Sequence, residues 1–263
     1  MTSYRYPSEH LILLATVFVI SVLVAISSAP TVCAIPLVAL LFIVVSYQLS
    51  KSQLRQIVQS GAPVSWDHTP ELAKLAQGCV QKLRPGQVQF FILQSRQLNA
   101  FTFGFSNPKM VVLYSPVLDV MDADELKFVM GHELGHVALG HTWLNTLLGG
   151  VAGVPTSFAG AAILTLAFRW WNRACEYSAD RAGLLACGSL NKAISALAQL
   201  EIGDINTQAE LQRALLLLET EDKPIENVLG ETLSTHPLII KRIKELRQWA
   251  QSSQYQRLAS SSA

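Results

Sequence analysis

Two uncharged apolar stretches dominate the first fifty residues of the chain. Residues 11–29 and 32–49 contain no charged side chain, and a Pro-containing turn separates them. A helix needs about 20 apolar residues to cross a bilayer, and each stretch has about that length. The pattern predicts a transmembrane helical hairpin within residues 1–51. Pro36 falls in the first turn of the second helix, where its missing N–H costs little.

Basic residues around the hairpin predict its orientation. Arg5 precedes the first span, Lys51 and Arg55 follow the second, and the turn between the spans has no basic residue. The positive-inside rule then places both ends in the cytoplasm, which predicts a multi-pass membrane protein with its remaining domain on the cytoplasmic side. A cleaved signal peptide ending near Cys33 is the competing interpretation, but a second apolar stretch directly after it favours the hairpin.

The pattern changes after residue 51 to that of an α+β domain, predicted over residues 52–251. Apolar residues recur at helical spacing over 70–84, and three short strand-like runs follow at 87–93, 98–105 and 109–115. Short polar linkers join these runs and predict a small antiparallel sheet.

Helical segments make up most of the rest of the domain. Asp122, with Glu125 three residues later, has the spacing of a capping box and predicts a helix start. His236 precedes Pro237, which suits the first position of another helix. The Ser-rich residues 252–263 predict a disordered tail.

Composition supports the membrane prediction and excludes one class of partner. The chain is 50% hydrophobic and 15% charged, whereas about 25% of residues are charged in typical soluble domains. Its net charge is +1, and it has neither a basic stripe nor a zinc-finger pattern, so no nucleic-acid partner is expected. The four cysteines form no CxxC pair and are interpreted as buried or membrane residues.

The sequence HELGH at residues 132–136 has the pattern of a catalytic zinc site. On a helix, His132 and His136 stand one turn apart on the same face and can bind one ion. Glu133 lies about 100° round the helix, where it can take a proton from the attacking water without binding the metal. The alternative is a pair of exposed histidines on a helix surface.

A catalytic zinc needs a third protein ligand. His141 follows the second histidine by five residues, not the six of the metzincin pattern, so it is expected to be solvated or at a helix end. Glu176 and Asp180 are better candidates because they are four apart on a predicted helix. Glu176 can bind the metal, and Asp180 can accept the other N–H of a ligating histidine. Alternatively, both carboxylates pair with Arg173 and Arg181 on a solvated face.

Four motifs together resemble the HtpX-like integral-membrane zinc metallopeptidases, relatives of the CaaX prenyl proteases. They are LNAF (98–101), HELGH (132–136), EYSADRAG (176–183) and STHP (234–237), and the resemblance covers about residues 60–250 and the preceding hairpin. It implies a mainly helical, zincin-type domain that holds one zinc ion per chain. By this resemblance the ligands are His132, His136 and Glu176, and Glu133 is the general base.

The resemblance also implies roles at the substrate cleft. The strand with Asn99, Ala100 and Phe101 would pair with an extended peptide, although its pattern also suits a simple core strand. His236 would donate to the oxyanion, unless it only begins a helix. Arg242 stands where the family keeps a basic residue, which would contact either substrate or a carboxylate.

Residues 147–168 depart from the family pattern. HtpX-like proteins usually carry two further spans between the HExxH helix and the glutamate helix, but this apolar insert is about one span long. A single crossing would place Glu176 and His132 on opposite sides of the membrane. A bent, membrane-adherent helical pair is therefore expected, with Trp170 and Trp171 near the headgroups. A pair of core helices is the alternative.

The motifs predict a membrane-anchored zinc endopeptidase. By resemblance its substrates are misfolded or damaged membrane proteins, and its other partner is the lipid bilayer. A prenyl-protein protease is one alternative, although that branch has more spans than this chain can hold. A zinc-stabilised adaptor that binds without cleaving is the other, and Glu133 argues against it because a binding protein needs no base there. No oligomeric state is predicted.

Overall fold

A computed structural model describes residues 4–27, 34–147, 168–202 and 236–261. The helices in these ranges are α1 (Glu9–Ser27), α2 (Ala34–Ser60), α3 (Pro70–Leu83), α4 (Ser115–Val120), α5 (Ala123–Ala138), α6 (His141–Leu147), α7 (Arg169–Cys187), α8 (Leu190–Ile202), α9 (His236–Ala250) and α10 (Ser253–Ser261). The strands are β1 (Ala62–Pro63), β2 (Val88–Leu93), β3 (Ala100–Phe103) and β4 (Lys109–Tyr114). The mainly helical α+β prediction is confirmed.

The sheet is mixed, so the prediction of an antiparallel sheet is wrong. Its strand order is β1-β2-β4-β3, with β2 parallel to β4 and the other two pairs antiparallel. Burial explains why β4 takes the centre: residues 110–113 are almost fully buried, as expected of a strand covered on both faces. The shorter β3 lies at the sheet edge, so the chain passes from β2 to β3 before it returns to β4 between them.

The two apolar stretches at the start of the chain form helices α1 and α2. The second continues without interruption beyond its apolar part, through Lys51, to Ser60. Ile57 near its end packs on Phe91 and Phe103 of the sheet. Within the described ranges, no helix is both long enough and apolar enough to cross a membrane. The helices are confirmed, and the predicted spans are not.

The chain after α9 was predicted to be disordered, but it forms α10. Tyr255 packs edge-on against Trp249, with ring centroids 5.2 Å apart. The indole N–H of Trp249 also donates to Gln254 at 3.1 Å. The prediction is wrong for residues 253–261 because two apolar side chains, Tyr255 and Leu258, dock this Ser-rich segment on the core.

The main core lies where α5 crosses α7. A Cβ added to Gly131 would lie 2.4 Å from the Ala186 Cβ, and one added to Gly135 would lie 2.7 Å from the Ala182 Cβ. Both distances are shorter than van der Waals contact, so only glycine fits on α5 at these points. The close approach holds the HELGH segment directly against the helix that carries Glu176.

The predicted insert at 147–168 falls almost entirely outside the described residues. At its end, Phe168 and Trp171 pack with Leu144 and with apolar residues of α1. Trp171 is therefore buried, whereas Trp170 is exposed. That both tryptophans lie near headgroups stays a prediction, and the structure shows Trp171 packed on protein side chains.

We expect Gly135→Ala to destabilise the protein and weaken zinc binding, because the added methyl group forces α5 and α7 apart. Overpacking of this kind costs about 1–3 kcal/mol. Thermal unfolding and zinc titration measure both effects. Gly78→Ala is the control: it lies within α3 and its added Cβ meets nothing within 4 Å, so it should stabilise the helix by about 0.5–1 kcal/mol. Equal stability of the two variants would contradict this account of the helix crossing.

Candidate metal centre

Helix α5 presents both histidines of the HELGH motif to one point. Its start is fixed by the predicted capping box, in which Asp122 Oδ1 accepts from the Glu125 N–H at 3.0 Å and Glu125 Oε2 accepts from the Asp122 N–H at 3.0 Å. One helical turn separates His132 from His136, and their Nε2 atoms are 3.2 Å apart. Both side chains are buried, so the exposed-pair alternative is wrong.

Helix α7 adds Glu176 to the two imidazoles. Its Oε2 lies 3.4 Å from His132 Nε2, and its Oε1 lies 3.4 Å from His136 Nε2. Ligand atoms about 2.0–2.1 Å from a tetrahedral zinc ion stand about 3.3–3.4 Å from one another. The three ligand atoms therefore have the mutual spacing that a zinc ion requires, and the residues present fit the metal.

Asp180 lies one turn beyond Glu176 and contacts His132 from behind. Its Oδ1 is 3.0 Å from His132 Nδ1. A carboxylate can only accept, so this contact places a proton on Nδ1 and leaves the Nε2 lone pair facing Glu176. The position is the one predicted from the spacing of the motif.

Arg242 of α9 pairs with both carboxylates of α7. It donates to Asp180 at 2.7 and 2.8 Å and lies 3.2 Å from Glu176 Oε2. The alternative in which both carboxylates pair with Arg173 and Arg181 on a solvated face is therefore wrong, because their partner is Arg242. Of the two roles considered for Arg242, contact with a carboxylate is the one that the geometry shows.

His141 binds the other ligand histidine. Its Nδ1 is 3.0 Å from His136 Nδ1, and its Nε2 is 3.0 Å from Glu9 Oε1. It begins α6, but it is 1% exposed, so the expectation of a solvated side chain is wrong. The five-residue spacing points His141 at the back of His136 instead of at the metal position.

The charges of the site favour a cation at its centre. Burial opposes protonation of His132, but hydrogen bonds to Asp180 and Glu176 outweigh it and raise the His132 pKa to about 10. Burial likewise raises the pKa of Glu176, yet Arg242 and the two imidazoles hold that pKa well below its usual value. The surroundings of His132 thus favour positive charge, which a bound metal ion would supply in place of the second proton of this imidazole.

Glu133 lies beside this cluster, and its pKa is shifted in the opposite direction to that of Glu176. Burial raises the pKa of its carboxyl above the usual range, although the nearby imidazoles of His132 and His136 act in the opposite direction. The Thr102 hydroxyl of β3 donates a hydrogen bond to the same carboxylate. A carboxylate with a raised pKa is suited to accept a proton during a reaction.

A cleft of about 500 Å³ opens over these groups. Its lining includes all the predicted substrate residues whose side chains are described, together with the metal cluster: Asn99, Ala100, Phe101, His132, Glu133, His136, Glu176 and Arg242. The Phe101 ring also packs with Tyr114, with centroids 5.7 Å apart. The size suits a ligand of several residues.

Strand β3 forms one wall of the cleft and is the edge of the sheet. Tyr114 N donates to Asn99 O at 3.0 Å. Antiparallel pairing alternates, so the backbone of Phe101 also faces β4, while that of Ala100 and Thr102 faces the open edge. The Asn99 amide oxygen accepts from the Ala100 N–H at 2.8 Å.

One predicted residue lies outside the described side chains, and three contributors were missed. Helix α9 begins at His236 as predicted, but the side chain of His236 is outside the described residues. Thr102 could have been found from strand alternation, since it shares a face with Ala100. His141 and Glu9 carried no such signal because their contacts cross from one element to another.

Comparison with known proteins identifies relatives. The model of Peptidase family M48 matches residues 68–250. A plastoglobule-localized metallopeptidase 48 of Arabidopsis thaliana chloroplasts is 30% identical over 185 residues, which is 64% of this chain and 53% of that protein. Protease HtpX of Idiomarina loihiensis is 26% identical over 210 residues, 67% of this chain and 71% of the relative. Protease HtpX of Acinetobacter baumannii is 28% identical over 197 residues, 60% and 64% respectively. The match to the Arabidopsis protein thus spans about half of its length.

Proposed function

Because the chain belongs to peptidase family M48, we propose that it is a membrane-anchored zinc endopeptidase. The family match includes the HELGH segment and Glu176, and it confirms the predicted resemblance to metallopeptidases at the level of the family. The observation that carries the proposal is the triangle of His132, His136 and Glu176 ligand atoms beside the buried Glu133.

The residues of the cleft divide the work of peptide hydrolysis. His132, His136 and Glu176 would hold zinc, which when bound supplies a Lewis acid for the scissile carbonyl and the attacking water. Glu133 takes a proton from that water as the water oxygen bonds to the carbonyl carbon. The same carboxyl then gives the proton to the leaving amine as the C–N bond breaks. Asp180 and Arg242 hold the ligands in place.

An extended substrate chain would pair with the open edge of β3. The outward backbone groups of Ala100 and Thr102 would supply the hydrogen bonds to the peptide. The Ala100 N–H would exchange its bond to the Asn99 side chain for one to the peptide backbone. Such pairing recognises the peptide backbone more than its side chains, so it suits unfolded or damaged proteins of varied sequence. We propose these, including membrane proteins, as the substrate class.

Membrane anchoring is supported by the first helix. One face of α1 packs through Ile12, Leu13 and Ile20 against the domain. Its other face exposes Leu11, Leu14 and Phe18, each with at least two-thirds of its surface free. A helix that exposes this much apolar surface suits a lipid environment.

The ends of the predicted hairpin support its orientation. Residues before α1 and the last turns of α2 both contact the peptidase domain, through Tyr6 and Ile57. Two crossings return a chain to its starting side, so both ends and the domain share one side of the bilayer. The positive-inside rule makes that side cytoplasmic.

Glu133→Gln should abolish cleavage while zinc remains bound, because the amide keeps the shape of the side chain but cannot take a proton. We expect a fall of about 100-fold or more in the cleavage rate of unfolded casein by the detergent-purified protein. Glu71→Gln, at an exposed position on α3, is the matched control. Equal cleavage by wild type and Glu133→Gln would contradict the mechanism, and no cleavage by zinc-loaded wild type would favour the adaptor.

Ala100→Pro should weaken substrate binding, because it removes an N–H that faces the open edge. The loss of one backbone hydrogen bond is worth about 0.5–1.5 kcal/mol, so we expect KM for a peptide substrate to rise about two- to tenfold with kcat little changed. Phe101→Pro removes an N–H that faces β4 and should lower the unfolding temperature instead. An unchanged KM in a folded Ala100→Pro variant would exclude strand pairing at this point.

Anchoring is tested by alkaline carbonate extraction of membranes that contain the full-length chain. A chain held by apolar helices stays in the membrane pellet, because carbonate disrupts ionic and polar attachment but leaves buried apolar surface in place. Appearance of the whole chain in the supernatant would refute the anchoring proposal.

A further inference from the structure

The residues before α1 are built into the peptidase domain. Tyr4 is 5% exposed and belongs to the main core. The Arg5 guanidinium donates to Leu139 O at 2.6 Å, and the Tyr6 N–H donates to Ser178 Oγ at 2.8 Å. This segment therefore spans from the end of α5 to the middle of α7, directly behind the metal cluster.

Glu9 carries a carboxylate into this buried space. It is 1% exposed, although it begins a helix whose other residues include no Asp, Glu, Lys or Arg. Arg5 and the Ser178 hydroxyl donate to its two oxygens, and His141 Nε2 lies 3.0 Å from Oε1. A buried charge with this many partners is held in one position.

The order of hydrogen bonds determines where each proton lies. The Glu9 carboxylate can only accept, so His141 Nε2 carries a hydrogen. A zinc ion bound at His136 Nε2 needs the lone pair of that atom, so the proton of the His136 imidazole lies on Nδ1. His136 Nδ1 then donates to His141 Nδ1 at 3.0 Å, and His141 Nε2 donates to Glu9.

We propose that Glu9 and His141 are positioning residues for the zinc ligand His136, so that the N-terminal segment completes the metal centre. They act on His136 as Asp180 acts on His132, through one additional imidazole. This inference rests on the zinc site of the proposed function. Glu9 lies outside residues 68–250 that match the family, so the link from the N-terminal segment to the site is a feature of this chain's own structure.

A second metal ion bound by Glu9 and His141 would fit the geometry less well than the hydrogen-bonded relay does. Ligand atoms of Glu9, His141 and Cys175 lie within 4.8 Å of one another. However, both nitrogens of His141 and both oxygens of Glu9 already have hydrogen-bond partners. Burial also raises the pKa of the Cys175 thiol, which keeps it protonated. The group acts as a hydrogen-bonded relay.

The test measures zinc affinity, by competition with a chelator, and the visible spectrum of the Co²⁺-substituted full-length protein in detergent. Three single variants separate the relay from simple anchoring. Glu9→Gln removes the charge, and His141→Phe removes the contact with His136 but leaves Glu9 paired with Arg5. Tyr6→Leu removes the ring contact between the N-terminal segment and Tyr177 of α7, whose centroids lie 5.0 Å apart, and changes no side-chain contact of Glu9 or His141.

Glu9→Gln and His141→Phe should each weaken zinc binding about 10–100-fold, as loss of a ligand's hydrogen-bond partner does, and should change the Co²⁺ spectrum. Tyr6→Leu should change zinc affinity less than threefold and leave the spectrum as in wild type. The double variant should bind zinc no more weakly than His141→Phe alone, because two members of one relay are not additive. Asp180→Asn provides the corresponding loss at His132.

Three outcomes would overturn the inference. One is wild-type zinc affinity in a folded Glu9→Gln or His141→Phe variant. Another is a loss in Tyr6→Leu equal to that in Glu9→Gln, which would mean that Glu9 only anchors the N-terminal segment. The third is additive losses in the double variant. Thermal unfolding reports folding, and His141→Phe keeps the test decisive if Glu9→Gln fails to fold. Failure of wild type to bind zinc would instead refute the proposed function itself.

Discussion

The close contact between α5 and α7 is the constraint on which the metal centre depends. Glycines at 131 and 135 let the two backbones approach until small residues of α7 touch them. At that separation a glutamate side chain from α7 reaches both imidazoles of α5. A larger residue at either glycine would move the ligand atoms out of the range that one ion can bridge. Positions 131 and 135 therefore need small residues for the same reason that the three ligand atoms need their short spacing: both require the two helices to lie close together.

Charge balance is the second requirement of the site. The cluster brings three carboxylates close together, of which Glu133 and Asp180 are buried and Glu176 is half-buried. Arg242 neutralises part of that charge from α9, and a metal ion would neutralise more. Glu133 is left with a raised pKa, whereas Glu176 is held ionised. Their surroundings thus give two glutamates of the same cluster opposite pKa shifts, as the proposed roles of base and ligand require. The proposed peptide site at the sheet edge lies beside this pair.

Local patterns accounted for much of this architecture. The capping box at Asp122, the helix over residues 70–83 and the two apolar helices all follow from interactions between residues close in sequence. Prediction failed where distant segments meet. The order of strands depended on which strand is most deeply buried in the core. Helix α10 is ordered because Tyr255 and Leu258 pack on that core. Neither event is encoded in a window of neighbouring residues.

The same division holds for the site. The sequence by itself determined the donor atoms that α5 offers, because the helix repeat places residues four apart on one face. It also determined the spacing of Glu176 and Asp180 on α7. Only the tertiary structure decided that Arg242 meets both carboxylates and that His141 turns to the back of His136. It also brought Glu9 into contact with His141, which lies 132 positions later in the chain. Such contacts arise from how helices cross and bury charge, and helix periodicity carries no information about either.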